Sequence, residues 1–495
     1  DEGVRLTVVD DRGRALSGNT LLAALGSLMG AAHPGSHVGL TVVAPTFLPA
    51  SLEDAINIPF QFAQTRARNV AIRRCHFTQR IAQHVDRANN SKEHVEFINR
   101  YVVSQGQGHT GFSCIHIRGD DIEIRDNILL GGGSCVMLSG ATHARVAGNL
   151  LKCGPAGHSF YAIAKLTWPK DGGGATIKGN YCSEILLEDN DITSYSERGR
   201  DLAYFIYGSE NAHVARNVLH DIEPTFDAEG FGCHLWSARW IEPTIRMTSA
   251  TEGEIVDPTG EVTRECLDGA LIDVVSGRGM GQIRRIVKRE GNAFEIDKPW
   301  RLDPDETSDV VFTAPPPFLR MTFVDNIARS TGINFIIWGN SNDIVLDGNE
   351  SSDGIGISVW SIRLEKTQKV WGGALFTLIV NNRLKMNWFT PTDKQIAEGI
   401  WAGGGICNPC TKFVDCTAEG YDMLGFVVRN NYLVNNSGIL FKTSFTQHAG
   451  ETLKSRPVDT PWVIHNAGVV IEGNFVKDSK VGVMIEKDAH ALERR

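Results

Sequence analysis

The sequence predicts an all-β solenoid in which short parallel strands wind into successive coils, and three observations support this prediction. Short apolar runs repeatedly break at one residue and then resume as a second apolar run. Several neighbouring breaks stand about one coil apart, with 22 residues from Asn127 to Asn149 and 23 from Asn326 to Asn349. Within the runs, apolar and polar residues alternate as in a sheet with one buried face. Repeats of this length are typical of solenoids.

The residue at the break is Asn in every copy except the first, which has Cys. The breaks fall at Cys75, Asn99, Asn127, Asn149, Asn190, Asn217, Asn326, Asn349, Asn431 and Asn474, with a looser copy at Asn382. Asn tolerates the left-handed backbone conformation, and its amide can bond to the same residue in the coils above and below. The sequence therefore predicts a ladder of stacked asparagines at one turn of the coil.

This pattern resembles the right-handed parallel β-helix proteins of the pectate-lyase-like superfamily, over roughly residues 60 to 490 with one interruption. The resemblance implies a right-handed parallel β-helix. It does not select an activity, because the same scaffold carries lyases, hydrolases, epimerases, phage tailspikes and adhesins.

The chain divides into four predicted segments. Residues 1–60 form an N-terminal helical cap and the first strands, and the apolar stretch 21–32 is the helix that covers the open end of the solenoid. Residues 61–236 form the first part of the β-helix. The Asn breaks vanish over residues 237–317, where short strand runs separated by Gly, Asp and Pro predict an inserted small β subdomain. Residues 318–495 form the second part of the β-helix.

Composition limits the partners. The net charge of −9 leaves no basic stripe for a nucleic acid. The apolar stretch near the N-terminus is too short to span a bilayer, and no signal peptide is apparent, so we expect no membrane contact. The resemblance implies a secreted or periplasmic protein with a polysaccharide or oligosaccharide partner, and it allows a homo-oligomer. We expect no cofactor and no bound metal.

The cysteines favour packing over metal binding. Four of them fall in or beside strand patterns, where a free thiol packs as a small apolar group: Cys114, Cys135, Cys182 and Cys233. Cys407 and Cys410, with Cys416 nearby, lack the second Cys or His pair that a zinc ribbon needs. A loop staple, or no special role at all, is favoured over a metal site for that cluster.

Aromatic residues recur at the ends of consecutive strands. When those strands are aligned on their C-terminal ends, four of them place an aromatic residue at the same position: Tyr207, Trp236, Trp338 and Trp360. A row of outward-facing rings would make a platform for the apolar faces of sugars. The alternative is that these rings are packing residues, since Tyr and Trp tend to bury the ring and keep a polar tip bonded.

Carboxylates precede the same strands. Asp201, Asp227, Glu229 and Asp353 lie six to nine residues ahead of the aromatic positions. Carboxyl groups on adjacent coils can approach within the roughly 5 to 10 Å that glycosidases use. Gly230 is expected to let the backbone approach a ligand. The alternative for each carboxylate is a solvated turn residue.

These features predict a glycoside hydrolase that uses Asp201 with Asp227 or Glu229, with Asp353 in reserve. A polysaccharide lyase or epimerase acting on uronates by β-elimination is the second hypothesis. That enzyme would draw its base and its cationic groups from His234, Lys165, Arg239 and Tyr207, the last of which is also part of the aromatic row. A non-catalytic glycan-binding module of the tailspike or adhesin type is the third hypothesis.

Overall fold

We describe the fold from a computed structural model, in which a set of separate ranges is described. They are residues 38–39, 67–78, 113–131, 134–153, 158–163, 181–194, 203–206, 208–222, 229–234, 239–240, 244–247, 249–256, 270–275, 277–308, 310–313, 318–364, 370–385, 405–407, 410–412, 423–435, 438–441, 466–479, 482–485 and 491–494. The predicted capping helix over 21–32 lies outside these ranges.

Three parallel sheets run along the molecule and form a right-handed parallel β-helix, which confirms the predicted fold class. The first sheet precedes the Asn break in each coil. Its strands are Val38–Gly39, Ala67–Arg73, Gly119–Arg125, Thr142–Ala147, Cys182–Glu188, Ser209–Ala215, Phe318–Val324, Ser341–Asp347, Ala374–Val380, Met423–Leu424, Val427–Arg429, Asn466–Ala467, Val469–Glu472 and Ala491–Arg494.

The other two sheets complete each coil. The second sheet follows the Asn break and contains His76–Thr78, Ile128–Leu130, Leu150–Cys153, Asp191–Ser194, Val218–Leu219, Ile327–Arg329, Glu350–Ser352, Arg383–Lys385, Tyr432–Val434 and Phe475–Lys477. The third sheet contains Ser113–Ile117, Ser134–Ser139, Phe160–Ile163, Ala203–Ile206, Glu229–His234, Ile333–Trp338, Gly356–Leu364, Gly405–Cys407, Ile439–Phe441 and Val483–Ile485.

The core fills the space between the three sheets, because each strand turns alternate side chains inward. Ile124 of the first sheet, Leu151 of the second and Phe335 of the third are among its fully buried members. Burying one such side chain contributes about 1.5 to 3 kcal/mol relative to leaving it exposed. The predicted two-residue alternation therefore reflects one continuous core along the axis.

The asparagine ladder is confirmed. Within it, each Oδ1 accepts from the backbone N–H and the Nδ2 of the Asn one coil before, at 2.8 to 3.1 Å. The ladder contains Asn127, Asn149, Asn190, Asn217, Asn326, Asn349, Asn382, Asn431 and Asn474. Cys75 begins it by donating its N–H to Asn127. Asn99 lies outside the described residues, and the ladder passes from Cys75 directly to Asn127.

The left-handed residue at the break is not the ladder Asn, as the sequence had suggested, but the residue before it. Asp126, Asp189, Asp325 and Asn430 are among these preceding residues, and their φ angles lie between 53° and 57°. Asp and Asn adopt this conformation more readily than other side chains. The two tasks are thus divided: the first residue turns the chain, and the second bonds along the axis.

Further strands between the coil strands Glu229–His234 and Phe318–Val324 form mostly antiparallel sheets. These strands are Arg239–Trp240, Thr244–Met247, Glu252–Val256, Leu271–Val274, Ile283–Glu290, Ala293–Ile296 and Val310–Thr313. All of these strands lie within the region 237–317, where the Asn breaks are absent from the sequence. These sheets also include two strands from further along the chain, Val370–Gly372 and Cys410–Lys412, and the C-terminal end of Gly356–Leu364.

This subdomain docks on the outer side of the first sheet. Arg285 donates to both carboxylate oxygens of Glu210 at 3.0 and 2.8 Å, and Arg320 of the coil beneath also bonds to Glu210. At another coil, Gly281 adopts a φ of 86° that favours glycine, and a Cβ there would lie 2.7 Å from the ring of Phe376. Asp273 is fully buried beside Asn340, which follows a strand of the third sheet.

The described cysteines pack as free thiols. Cys135, Cys182 and Cys233 are buried in the core, and Cys114 packs against it, as predicted. Burial raises the pKa of Cys114 to about 12, so this thiol is inert at neutral pH. The side chains of Cys407 and Cys410 and all of Cys416 lie outside the description. In the described ranges, no helix is long and apolar enough to cross a membrane.

Candidate functional site

The outer face of the third sheet brings together the polar and aromatic side chains with the clearest chemical potential. One column along this face runs through Met137, Tyr161, Tyr204, Gly232 and Ile336, which are paired in register from coil to coil. The residues beside them in each strand point into the core, so alternation turns this column outward. Its side chains form a second apolar cluster outside the solenoid core.

Tyr204 and Glu229 form the central contact of this face. The Tyr204 hydroxyl donates to Oε2 of Glu229, which is only 8% exposed. The ring reaches this carboxylate by lying over Gly232, where a Cβ would fall 2.0 Å from Cε2 of Tyr204. A glycine at this outward position is therefore required for the pair to form.

His158 extends the site. Its ring stacks on Tyr161 with centroids 4.4 Å apart and lies 6.4 Å from the ring of Tyr204, both at an interplanar angle of 21°. The backbone of His158 is fixed on both sides, since its N–H donates to Ser134 Oγ and its carbonyl accepts from Cys135. The imidazole, two phenol rings and one carboxylate are thus arranged over three neighbouring coils.

A further histidine lies on the same sheet, toward the N-terminus. Nε2 of His116 lies 2.7 Å from Oγ of Ser139 on the next coil, and both residues are buried. His116 pairs in register with Met137, which begins the column described above. We refer to Tyr161, Tyr204, Glu229 and His158 as the outer-face cluster, and His116 lies beyond its edge.

Two of the four residues in the predicted aromatic row share one register position. Trp338 and Trp360 are register partners, but the same position on the two preceding coils belongs to His234 and Ile206. The alignment on strand ends was therefore wrong for Trp236 and Tyr207, which come two and one residues later and lie outside the described ranges. Strands of unequal length end at different heights, whereas hydrogen-bond register does not depend on where a strand ends.

The remaining predicted residues divide into three groups. Asp201, Asp227 and Lys165 lie outside the described residues. For His234, Arg239 and Trp360 the strand backbone is described and the side chain is not. Asp353 lies in a turn with φ of 54°, half-buried, two residues before Ile355.

Asp353 lies further along the solenoid than Glu229. Register places Glu229 beside Ile333 and Phe335 beside Ile357, so Ile355 lies two coils from Glu229. Two coils correspond to about 10 Å along the axis.

Gly230 has a packing role that the sequence did not predict. A Cβ at Gly230 would lie 2.5 Å from the backbone oxygen of Asn334, so the next coil of the solenoid approaches closely here. Glycine at this position therefore serves the packing of coils.

Sequence reasoning missed Tyr161, Tyr204 and His158. The signal for the two tyrosines was present, because each stands next to a core phenylalanine, Phe160 or Phe205, and alternation sends it outward. Nothing in the sequence places His158, which precedes a strand, against them. In the described part of the chain, no three His, Cys, Asp or Glu side chains are grouped so that they could hold a metal ion.

Comparison with known proteins adds little to this description. No protein-family model and no curated protein matches the chain. A solved structure of the Gp54 tailspike of Acinetobacter baumannii bacteriophage AP22, in complex with A. baumannii capsular saccharide, matches with 10% sequence identity and a TM-score of 0.16. The match covers 59% of this chain and 71% of that chain. A similarity this low carries no information about activity.

Proposed function

We propose that this chain is a carbohydrate-active enzyme that cleaves glycosidic bonds, with Glu229 as its proton-transferring group. The observation that carries the proposal is the Tyr204–Glu229 hydrogen bond on the outer face of the third sheet. A carboxyl group that is nearly buried and accepts a hydrogen bond from a tyrosine hydroxyl is suited to acid–base catalysis on a sugar.

Each member of the outer-face cluster has a distinct role in this proposal. The Tyr204 hydroxyl fixes the orientation of the Glu229 carboxyl group, and Glu229 is proposed to transfer a proton to the glycosidic oxygen. His158 and Tyr161 stack beside Tyr204 and hold its ring in place. Protonation of the leaving oxygen by Glu229 would release the aglycone side of the bond and leave positive charge on the sugar.

A glycosidase needs a second carboxylate to stabilise or attack that charge. Asp227 precedes Glu229 by two residues, and Asp201 precedes the strand that carries Tyr204. Both remain the proposed partners, with Asp353 as a third choice. Trp338 is half-buried and packs against the apolar side chains on the outer face of the third sheet. Together with Trp360, its register partner, it is proposed to contact sugar. The substrate would be a polysaccharide or oligosaccharide met in a secreted or periplasmic location.

The test is a product assay on a panel of polysaccharides with Glu229→Gln. We expect new reducing ends from the unmodified protein and a loss of about a hundredfold to ten-thousandfold in kcat for the variant. Glu184→Gln is the matched control, since Glu184 lies on the exterior of the first sheet and an amide oxygen can still accept from Asn211. Equal rates for both variants would move the chemistry away from Glu229.

A lyase remains the second candidate, because the imidazole of His158 stacks beside the phenol of Tyr204, and these two groups can act as base and acid in β-elimination. The products separate the two reactions. An unsaturated uronate product with strong ultraviolet absorbance identifies a lyase, and saturated reducing ends identify a hydrolase. Glycan binding without any product would show that the chain is a binding module and would overturn the enzymatic proposal.

A further inference from the structure

A second surface, on the second sheet at the C-terminal coils, combines exposed rings with exposed cations. Two outward columns run side by side there. In one, Arg383 pairs in register with Tyr432, which pairs with Phe475. In the other, Lys385 is followed by Val434 and Lys477. Arg383, Lys385, Tyr432, Phe475 and Lys477 are called the cationic-aromatic patch below.

The columns face outward because the residues between them point into the core. Leu384 and Leu433 alternate with the patch residues along their strands and are fully buried. The patch is therefore part of the rigid solenoid and not of a loop. It lies on a different sheet from Glu229, and the inference does not depend on whether Glu229 cleaves a glycan.

The two rings are unusually exposed for aromatic side chains on a folded surface. Tyr432 is 48% exposed and Phe475 49%. Their rings are stacked with centroids 4.9 Å apart and an interplanar angle of 6°. The stack contributes to stability without burying the rings, and grouped apolar surface of this kind is often functional. A stack of this kind offers its two outer edges, and the end of the sheet at Phe475, to a ligand.

The three cations of the patch, Arg383, Lys385 and Lys477, outnumber the two carboxylates beside them, Glu350 and Asp478. Arg383 and Lys385 are exposed and form no ion pair within the described residues. Lys477 lies 3.9 Å from the carboxylate of Asp478, both well exposed. The coil before Arg383 places Glu350 in the same column, and its carboxylate lies 4.0 Å from Arg329. The patch is thus locally positive on a chain whose net charge is −9.

We propose that the cationic-aromatic patch binds an anionic glycan. Guanidinium and ammonium groups form charge-assisted hydrogen bonds with carboxylate or sulfate oxygens. The rings contact the apolar face of the sugar next to the charged group. Successive rungs stand about 4.8 Å apart, so that three rungs present about 10 Å of continuous surface along the axis. A glycan segment lying along the second sheet can contact all five side chains.

The test is calorimetric titration with three probes: polygalacturonate, a sulfated polysaccharide and neutral dextran. We expect binding of an anionic probe, weakening with added salt, and no binding of dextran. The sulfated arm shows whether the patch accepts charge in general or carboxylates in particular, and either result agrees with the proposal. The titration requires no turnover, so its outcome is separate from that of the cleavage assay.

Variants locate the binding. Tyr432→Ala and Arg383→Gln should each weaken binding by roughly tenfold, which corresponds to about 1.4 kcal/mol. Ile128→Ala is the matched control, because Ile128 is 42% exposed and lies on the same outward face of the second sheet, near the N-terminal coils. Unchanged affinity in both patch variants, equal binding of dextran, or no binding of either anionic probe would overturn the proposal. So would a dimer that Tyr432→Ala dissolves, since a second copy of the chain would then cover the patch.

Discussion

The asparagine ladder and the interface beneath the inserted subdomain both bury polar groups. In the ladder the buried polar groups are hydrogen-bonded, whereas at the interface some of them are not. In the ladder, Asn326 donates to the Val214 carbonyl and to Asn349 Oδ1, and its own Oδ1 accepts from Asn217. At the interface, neither carboxyl oxygen of Asp273 and neither polar atom of the Asn340 amide makes a well-formed hydrogen bond within the described residues.

The difference shows what repetition achieves. Each coil of the solenoid meets a copy of itself, so one residue type at one position provides the partner for the next. The subdomain is not repeated along the solenoid, so no repeated geometry guarantees a partner for a polar group where it contacts the coils. A buried unpaired polar group costs about 1 to 3 kcal/mol. The amides of the ladder do not titrate, so its contribution to stability does not change with pH, whereas the contribution of Asp273 depends on its protonation.

The largest expected effect follows from breaking the ladder in its middle. Asn326→Ala removes the acceptor of Asn217 N–H and Nδ2 and the donor to Val214 and Asn349. Several buried groups lose a partner at once, so we expect a loss of about 3 to 5 kcal/mol in the free energy of unfolding. Denaturant unfolding measures it.

Asn474→Ala is the control within the same ladder. It is the last Asn of the described ladder and is only half-buried, and water can replace its partners. Its cost should be clearly smaller than that of Asn326→Ala. If Asn326→Ala and Asn474→Ala lower the free energy of unfolding equally, the buried middle of the ladder does not stabilise the fold more than its half-buried end. The contrast between the ladder and the interface would then fail.

The next prediction concerns the pH dependence of the interface. Burial raises the pKa of Asp273 to about 8, although the neighbouring Asn340 amide lowers it in part, and no charged group contributes. The folded state therefore favours the protonated carboxyl group, which can donate to Asn340. Stability is fully present below the unfolded pKa near 4 and is lost as pH rises toward about 8.

The slope of that loss is limited to about 1.4 kcal/mol per pH unit, since one proton is involved. Asp273→Asn removes the titration and should flatten the dependence between pH 5 and pH 9. Asp303→Asn, in an exposed part of the same subdomain, should leave it unchanged. Unfolding free energies at several pH values measure both, and an unaltered slope in Asp273→Asn would show that its carboxyl group is not the source.

The same contrast explains what could be predicted from the sequence. The ladder residue recurs once per coil, so Asn127, Asn149 and the later asparagines predict the fold from the sequence. Even Asn382, in the looser copy of the repeat, belongs to the ladder. Asp273 gives no signal, because its burial arises from a single contact between segments far apart in the chain. The site stands between these cases. Tyr204 follows from alternation, but the stack of His158 on Tyr161 depends on a turn whose course no repeat specifies.

The smallest expected effect concerns a polar contact at the subdomain that is well satisfied. Glu210 accepts from Arg285 of the subdomain, and it also accepts from Arg320 and from Tyr181 at 3.1 Å. Arg285→Gln therefore leaves Glu210 with two partners, and the loss in unfolding free energy should be only about 1 to 2 kcal/mol, well below the 3 to 5 kcal/mol typical of breaking an isolated buried pair. Arg320→Gln, measured alone and with Arg285→Gln in a double-mutant cycle, supplies the control. If the guanidinium groups share one carboxylate, the double variant should lose more than the sum of the single losses, because Glu210 is then left buried with Tyr181 alone. Simple additivity would show that each arginine acts by packing and not through the shared carboxylate.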